Sequence, residues 1–172
     1  MKLFSRFLLL LLVSLLVACT GIPDRVQPVS HFELSRYLGK WYEIARLDHS
    51  FERGLSKVTA EYSLREDGGV RVINRGYHAK DQNWSEAEGK AYFVNTADKG
   101  YLKVSFFGPF YGAYIVIALD ADYQHALVSG PDKSYLWVLS RTPQMPSPIL
   151  DEFIAKAKSL GYPTEELIYV DH

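Results

Sequence analysis

The side chains that could act in catalysis or bind a metal do not form a recognisable set in this sequence. The histidines are spread along the chain without the spacing of a zinc site: His31, His49, His78, His125 and His172. No Gly-x-Ser-x-Gly motif marks a serine nucleophile. The single cysteine, Cys19, directly follows an apolar run. The sequence therefore predicts no catalytic residue, no metal site and no cofactor.

The surroundings of Cys19 indicate a different chemistry. Lys2 and Arg6 begin the chain, and residues 7–18 are apolar apart from one serine. This run is shorter than the roughly 20 residues of a membrane span and is typical of a secretory signal. It ends in Leu16-Val17-Ala18-Cys19, which resembles the lipobox of bacterial lipoproteins. The resemblance implies cleavage after residue 18 and lipid attachment to Cys19.

Residues 19–30 are expected to form a lipidated tether. Thr20 rather than Asp follows the cysteine, which resembles the pattern sorted to the bacterial outer membrane. Gly21, Pro23 and Pro28 favour an irregular chain. Several acyl chains would anchor the protein firmly in the membrane. We expect a cleaved signal (1–18), this tether (19–30) and a folded domain (31–172) that faces the periplasm.

The composition fits one β-rich globular domain. The 172 residues are 48% hydrophobic and 23% charged, and aromatic residues, which favour strands, make up 14%. The net charge is −1 and the basic residues do not cluster, so nucleic acid is not an expected partner. Because Cys19 has no cysteine to pair with, the domain must depend on its hydrophobic core.

Period-2 alternation and turn residues predict eight strands at hairpin spacing, which indicates a barrel or a sandwich. The strands cover approximately residues 39–47, 57–64, 70–75, 86–93, 102–106, 114–119, 125–129 and 135–141. One strong helix follows, with Ser147 as its N-cap, Pro148 in its first turn and Gly161 after its end. Its apolar face is expected to cover the strand at 114–119, which is apolar on both faces.

Three short motifs resemble those of the lipocalin family. Gly39-Lys40-Trp41-Tyr42 opens the first strand, Asp120-Ala121-Asp122-Tyr123 follows the sixth, and Leu139-Ser140-Arg141 ends the eighth. The second motif departs from the usual Thr-Asp-Tyr by having Ala121. The resemblance covers residues 31–172. Together with the lipobox, it points to the bacterial outer-membrane lipoproteins of the family.

The resemblance implies an all-β fold: an eight-stranded antiparallel up-and-down barrel, open at one end, with the C-terminal α-helix packed on its outside. Trp41 would plug the closed end with Arg141 against its ring, which is a cation–π contact. Gly39, Asp120 and Tyr123 would be structural as well. The implied ligand is a fatty acid or a lysophospholipid, which is bound, stored or transported at the outer membrane for membrane maintenance.

Strand parity, counted from Trp41 and Arg141, predicts which side chains meet the ligand. They are Glu43, Ala45, Ala60, Tyr62, Val72, Asn74, Ala87, Ala91, Val104, Phe106, Tyr114, Val116, Val128, Tyr135 and Trp137. The row Ala87, Gly89 and Ala91 is small enough to leave room for a ligand. Unpaired, Glu43 would be costly to ionise. It either meets a partner, such as Asn74 or ordered water, or contributes to ligand choice.

The loops at the open end are rich in aromatic residues. Phe51, Trp84, Phe110 and Tyr111 are expected to form a rim at this mouth. The rim would either contact the membrane, form a homodimer, or consist of hairpin aromatics that pack on one another. Arg53 is a candidate for binding a phosphate or carboxylate head group.

Other functions stay open at this point. A lipid-modifying enzyme on the same barrel would need a nucleophile and a base inside it. A purely structural lipoprotein would have its interior filled by large side chains, whereas Ala87, Gly89 and Ala91 are small. A carrier of another small hydrophobic ligand is a further possibility. The sequence favours a lipid-binding protein that is not an enzyme.

Overall fold

The chain forms a closed antiparallel β-barrel. A computed structural model describes residues 20–172, so the predicted signal peptide and Cys19 lie outside the described residues. The helices are α1 (Leu34–Tyr37) and α2 (Ser147–Ser159), and a short 3-10 helix spans Thr164–Glu166. The strands are β1 (Gly39–Arg46), β2 (Leu55–Leu64), β3 (Val70–His78), β4 (Asn83–Phe93), β5 (Tyr101–Phe107), β6 (Phe110–Leu119), β7 (His125–Ser129), β8 (Leu136–Ser140) and β9 (Ile168–Tyr169).

Each strand from β1 to β7 pairs with the next, and β8 pairs back with β1. This confirms the predicted eight-stranded up-and-down barrel with a C-terminal helix. β2 pairs with the first half of β1, and the short β9 pairs with Ala45 and Arg46 at its other end. Within residues 20–172, no helix is both long enough and apolar enough to cross a membrane.

The connections alternate between the two ends of the barrel. Residues 65–69, 94–100 and 120–124, together with α1, lie at the closed end. Residues 47–54, 79–82, 108–109 and 130–135 lie at the open end, which we call the mouth. Gly161, just after α2, approaches Lys133 in a mouth loop. Helix α2 therefore runs along the outside of the barrel from the closed end towards the mouth.

Two hydrophobic cores form, one inside the barrel and one outside it. The outer core packs Phe153 and Ala157 of α2 onto outward side chains of β6, including Ile115 and Ile117. This explains why β6 is apolar on both faces, as its sequence indicated. The inner core surrounds Trp41 at the closed end.

Trp41 and Arg141 close the bottom of the barrel. The Arg141 Cζ atom lies 3.9 Å from the centroid of the fully buried Trp41 ring. The Arg141 guanidinium also donates to the carbonyl oxygens of Arg36 (2.7 Å), Lys40 (3.0 Å) and Tyr123 (3.2 Å). One planar group therefore joins α1, β1 and the loop after β6, which a point-charge ammonium would not do in the same way.

The loop after β6 is fixed by its own side chains. The Asp120 Oδ1 atom accepts hydrogen bonds from the backbone N–H groups of Gln124 (2.8 Å) and His125 (2.6 Å). The Tyr123 hydroxyl accepts from the backbone N–H of Glu33 at 2.9 Å. Gly39 has a φ of 93°, and a side chain there would meet Arg141. These residues have structural contacts rather than cavity contacts.

Gly89 is filled by a neighbour rather than left open for a ligand. A Cβ atom at this position would lie 2.9 Å from the ring of Phe106 and 2.9 Å from the carbonyl oxygen of Ser105. The Phe106 ring therefore packs directly on the Gly89 backbone. Of the three small residues predicted to leave room in β4, Ala87 and Ala91 line the interior space, and Gly89 serves to admit Phe106.

Much of the expected tether is packed on the barrel. The Val26 side chain is 1% exposed and belongs to the outer core. The backbone of Val29 is hydrogen-bonded to Val116 and Gly100, both at 2.9 Å, and Arg25 donates to the Ser159 carbonyl at 2.7 Å. Residues 25–30 are thus held against the fold and do not form part of a free tether.

Replacing Arg141 with lysine tests the closed end. R141K removes the fork that joins three carbonyl groups, so we expect the free energy of unfolding to fall by about 1–3 kcal/mol in urea titration. Arg71→Lys is the matched control, because Arg71 forms a half-exposed ion pair with Glu88 and should cost less than about 0.5 kcal/mol. Equal costs for the two variants would contradict this account of Arg141.

Replacing Gly89 with alanine tests the packing of Phe106. The added methyl group would overlap both the ring and a backbone oxygen, so we expect G89A to lose about 1–3 kcal/mol of stability. Gly112→Ala is the control, because a Cβ there meets no atom within 4 Å. It should be neutral or stabilising by up to about 1 kcal/mol. Differential scanning calorimetry of both variants provides the comparison, and an unchanged melting temperature for G89A would refute the overlap.

Candidate functional site: the barrel cavity

The interior of the barrel above Trp41 contains a cavity of about 660 Å³. Its wall is largely apolar and comes from strands β1 to β6, from β8, from α1 and from mouth loops. The size is within the range of roughly 300–1,000 Å³ that is usual for small-molecule sites. A structural protein with a filled interior would not leave such a space.

Most of the residues predicted by strand parity line this cavity. They are Glu43, Ala60, Tyr62, Val72, Asn74, Ala87, Ala91, Val104, Phe106, Tyr114, Tyr135 and Trp137. The wall also contains residues that parity did not indicate. Glu52 comes from a loop, and Thr59 follows an irregularity in the pairing of β2 with β3 that its alternating sequence does not reveal.

Three predicted lining residues lie elsewhere. Ala45 faces the outer core under α2, because β1 contains a bulge between Glu43 and Ala45. Val116 and Val128 are paired across β6 and β7 and belong to the fully buried inner core around Trp41. Both side chains point inward as parity predicts. They lie in the closely packed part of the interior around Trp41, below the cavity, and therefore do not line it.

The predicted rim is only partly assembled at the mouth. Phe51, Phe110 and Tyr111 line the cavity entrance. Trp84 is exposed and packs on Tyr77, with ring centroids 5.4 Å apart, outside the cavity. An additional aromatic side chain, Phe107, is 80% exposed beside Phe110.

Arg53 does not reach the cavity. Its guanidinium is exposed and forms an ion pair with Asp48, with an Nη2–Oδ2 distance of 2.8 Å. A neighbouring carboxylate that already occupies the guanidinium leaves it poorly placed to bind a ligand head group. The structure thus contradicts the expectation that Arg53 belongs to the ligand site.

The bulge in β1 changes the position of a charged side chain as well. Regular alternation would place Arg46 on the opposite face from Glu43. Instead the Arg46 Nη1 atom lies 2.7 Å from Glu43 Oε1, and both side chains are buried. Arg46 also donates to the carbonyl oxygens of Glu52 (2.9 Å) and Leu55 (3.1 Å). The partner of Glu43 is therefore Arg46, and not Asn74 as the sequence had suggested.

Glu52 provides a second carboxylate in the same region. Its Oε2 atom accepts a hydrogen bond from Trp137 Nε1 at 3.0 Å and lies 3.0 Å from His49 Nε2. The cluster of Glu43, Arg46, His49, Glu52 and Trp137 is the main polar feature near the mouth, and we call it the mouth cluster.

The two carboxyl groups of the mouth cluster differ in their affinity for a proton. Burial and the nearby Glu52 carboxylate raise the pKa of Glu43 well above its ordinary value, and Arg46 offsets this only in part. Burial opposes ionisation of Glu52 too, but the contacts with His49, Trp137 and Arg46 outweigh it, so that the pKa of Glu52 is lowered. The site therefore holds Glu52 as a carboxylate and favours a proton on Glu43.

Three tyrosines form the polar part of the cavity floor. The Tyr114 hydroxyl lies 2.7 Å from that of Tyr37 and 2.9 Å from that of Tyr62. Burial raises the pKa of all three phenols, so they are neutral hydroxyl groups. Higher in the wall, Asn74 Oδ1 and Ser105 Oγ are buried without a hydrogen-bond partner in the described structure.

The arrangement suits a ligand with a long apolar part and a polar end. Acyl carbons can occupy the space lined by Ala87, Ala91 and Val104, while polar groups meet the mouth cluster. In residues 20–172, no group of three or more His, Cys, Asp or Glu side chains is placed to hold a metal ion.

Comparison with known proteins identifies the family. Residues 32–172 match the model of the Lipocalin-like domain. The chain is 61% identical to the outer membrane lipoprotein Blc of Vibrio cholerae serotype O1, with 96% of this chain and 98% of that protein covered. It is 55% identical to the outer membrane lipoprotein Blc of Escherichia coli K12, with 91% of this chain and 89% of that protein covered.

Solved structures agree on the fold. Insecticyanin from the tobacco hornworm Manduca sexta superposes with a TM-score of 0.71 at 21% identity, covering 88% of this chain and 87% of that one. At this identity the likeness concerns the fold alone. Together with the family match and the close relatives, the barrel, its closed end and its cavity show that the chain belongs to the lipocalin family.

Proposed function

We propose that this protein is a lipid carrier of the bacterial outer membrane that binds a fatty acid or a lysophospholipid in its barrel. The observation that supports this most directly is the apolar cavity of about 660 Å³. Each buried CH₂ group of an acyl chain contributes about 0.8 kcal/mol, so a long chain gains enough from the apolar wall to bind with few polar contacts.

The N-terminus supports attachment to the outer membrane. The related Blc proteins are named outer membrane lipoproteins, and Cys19 has the lipobox context expected for diacylglyceryl and further acyl modification. Because residues 25–30 are held on the barrel, few residues separate the lipidated cysteine from the fold. The barrel would then stay close to the bilayer on the periplasmic side, where lipids enter and leave it.

The exposed aromatic side chains of the mouth support contact with the membrane during this exchange. Phe51, Phe107 and Phe110 are all largely exposed, and they rim the cavity entrance. Apolar patches of this kind mark surfaces that meet another apolar surface. A homodimer through the same rim is the alternative arrangement, and light scattering of the purified protein distinguishes the two.

The family and the cavity both support a carrier role rather than an enzymatic one. Most polar groups of the cavity contact one another: Glu43 pairs with Arg46, Glu52 with Trp137 and His49, and the tyrosine hydroxyls with each other. These contacts suit the recognition of a ligand. The Ser105 hydroxyl in the wall has no hydrogen-bonded base in the described structure that would activate it as a nucleophile.

Filling the cavity tests the proposed function. Ala87 is open to the cavity, so a phenylalanine there would occupy part of the space for the acyl chain. We expect A87F to bind fatty acid and lysophospholipid at least about tenfold more weakly, a loss of about 1.4 kcal/mol, as measured by native mass spectrometry.

Ala155→Phe, on the exposed side of α2, is the matched control and should bind as the unchanged protein does. If the unchanged protein binds neither lipid at micromolar concentrations, the proposed function is wrong. If A87F binds as tightly as the control, the lipid lies outside the barrel.

A further inference from the structure

Two carboxyl groups line one side of a cavity that is otherwise mostly apolar. Glu43 is 3% exposed and Glu52 is 6% exposed, and both border the cavity near the mouth. Removing a carboxylate from water is costly unless charge and hydrogen bonds compensate it. The way in which this pair is compensated therefore indicates what the cavity accepts.

The positive charge around the two carboxyl groups does not balance their negative charge. In the described part of the chain, Arg46 is the only permanent cation in contact with these two residues, and it reaches the Glu43 carboxyl group but only the backbone carbonyl oxygen of Glu52. A proton on Glu43 makes up the balance, in agreement with its raised pKa. A ligand cation placed beside Glu43 and Glu52 could take the place of that proton.

The hydrogen bonds of the two carboxyl groups depend on the same proton. Arg46 donates to Glu43 Oε1 and Trp137 donates to Glu52 Oε2, while His49 Nε2 lies 3.0 Å from Glu52 Oε2. Among residues 20–172, no N–H group or hydroxyl is hydrogen-bonded to the second oxygen of either group, and the two carboxyl groups are hydrogen-bonded to each other through the proton on Glu43. A ligand group that displaces this proton leaves two carboxylates, which only accept hydrogen bonds, so it must bring N–H or O–H donors.

Aromatic rings form the rest of this side of the cavity. Tyr135 and Trp137 are stacked with ring centroids 6.1 Å apart, and Phe51 lies 6.3 Å from Tyr135 and 6.5 Å from Trp137. All three rings line the cavity, and the His49 ring packs among them, stacked on Phe51 at 3.9 Å and lying 5.2 Å from Trp137. A cation would therefore meet the ring faces that His49 does not cover. The faces of aromatic rings attract cations, and desolvation strengthens this attraction.

We infer that Glu43, Glu52, Phe51, Tyr135 and Trp137 form a subsite for the primary ammonium group of an ethanolamine head group. The inference rests on the proposed function and narrows it: the ligand is a lysophospholipid with a zwitterionic head, its acyl chain directed towards Ala87 and Ala91. A primary ammonium is preferred to a quaternary one because its N–H groups can replace the proton between the two carboxyl groups, whereas the aromatic rings attract both kinds of cation. A fatty acid or an anionic head group lacks the cation and meets two acidic side chains instead.

Binding constants for lipids that share one acyl chain test the subsite. We expect lysophosphatidylethanolamine to bind at least about tenfold more tightly than lysophosphatidylglycerol, which has no ammonium group. Lysophosphatidylcholine should lie between them, since it keeps the charge but has no N–H donor. Equal affinity for the ethanolamine and glycerol lipids would overturn the subsite and leave the proposed function intact. Failure of every lipid to bind would overturn both.

Isosteric variants assign the preference to these residues. Glu43→Gln and Glu52→Gln should each reduce the preference for the ethanolamine lipid to about twofold or less, with little change for the glycerol lipid. Glu88→Gln is the control, because Glu88 lies half-exposed on the outside of β4, and it should keep the full preference. If the glutamine variants retain the preference, the carboxyl groups do not bind the head group.

Two further measurements keep the inference testable if a glutamine variant does not fold. Phe51→Leu changes a largely exposed rim residue, and it should weaken the ethanolamine lipid more than the glycerol lipid. Calorimetry in buffers of different ionisation enthalpy should detect a proton released when the ethanolamine lipid binds, and none with the glycerol lipid. An equal effect of F51L on both lipids, together with no proton release, would overturn the subsite.

The proton is expected to come from Glu43, because the ammonium group replaces it there. Affinity for the ethanolamine lipid should then rise with pH until Glu43 is ionised, and affinity for the glycerol lipid should not. The titratable and charged groups that face Glu43 are Arg46 on its own strand, His49 and Glu52 in the adjacent loop, Tyr62 on β2 and the terminal His172, whose ring contacts the Glu43 carbonyl.

Discussion

The interior of this barrel depends on a single irregularity in the strand that closes it. β1 pairs with β2 on one edge and with β8 on the other, so its register fixes which side chains face the interior. A bulge between Glu43 and Ala45 inserts an extra residue, with the result that Ile44 and Ala45 both face the outer core under α2. Glu43 and Arg46 then meet on the side of the cavity. Without the bulge, Arg46 would lie on the outer face and Glu43 would be unpaired inside.

The mouth cluster that results is not an efficient way to stabilise a fold. The effective cost of removing each ion from water amounts to several kcal/mol, and replacing a buried ion pair by apolar side chains is often neutral or stabilising. Removing only one partner is costly because it leaves an unpaired charge. The mouth cluster therefore gives the barrel a polar site of fixed geometry at a cost in stability. The rest of the cavity wall is apolar, and its packing does not depend on the cluster.

Sequence reasoning could predict the barrel because the relevant patterns are local. Trp41 and Arg141 stand in short motifs whose spacing is visible, and alternation along each strand is a reliable guide while the pairing is regular. It failed where the pairing is irregular. The run of Glu43, Ile44 and Ala45 alternates without any sign of a bulge, so the positions of Ala45 and Arg46 could not be read from it.

Other parts of the site depend on contacts between distant segments, which no local pattern records. Glu52 enters the cavity from a loop, where strand parity does not apply. Gly89 appeared to leave space, but the Phe106 ring on the neighbouring strand occupies it. Arg53 is held by Asp48, five residues away, and so does not reach the ligand site. In each case the contact with a neighbouring residue, and not the residue type, determined whether the side chain lines the cavity.

The division of the cavity into an apolar wall and a polar mouth separates affinity from specificity. An apolar wall gains about 0.8 kcal/mol for each CH₂ group that it buries, almost irrespective of what the chain carries at its end. It can therefore hold many lipids and distinguish few. A buried group that is left without its hydrogen-bond partner discriminates more strongly, because the wrong ligand leaves it unpaired. The tyrosine hydroxyls of the floor are already bonded to one another, whereas the two carboxyl groups of the mouth cluster depend on a proton that a ligand cation could replace. In the proposed lipid complex, the head group would therefore decide which ligand binds, while the acyl chain would supply most of the binding energy.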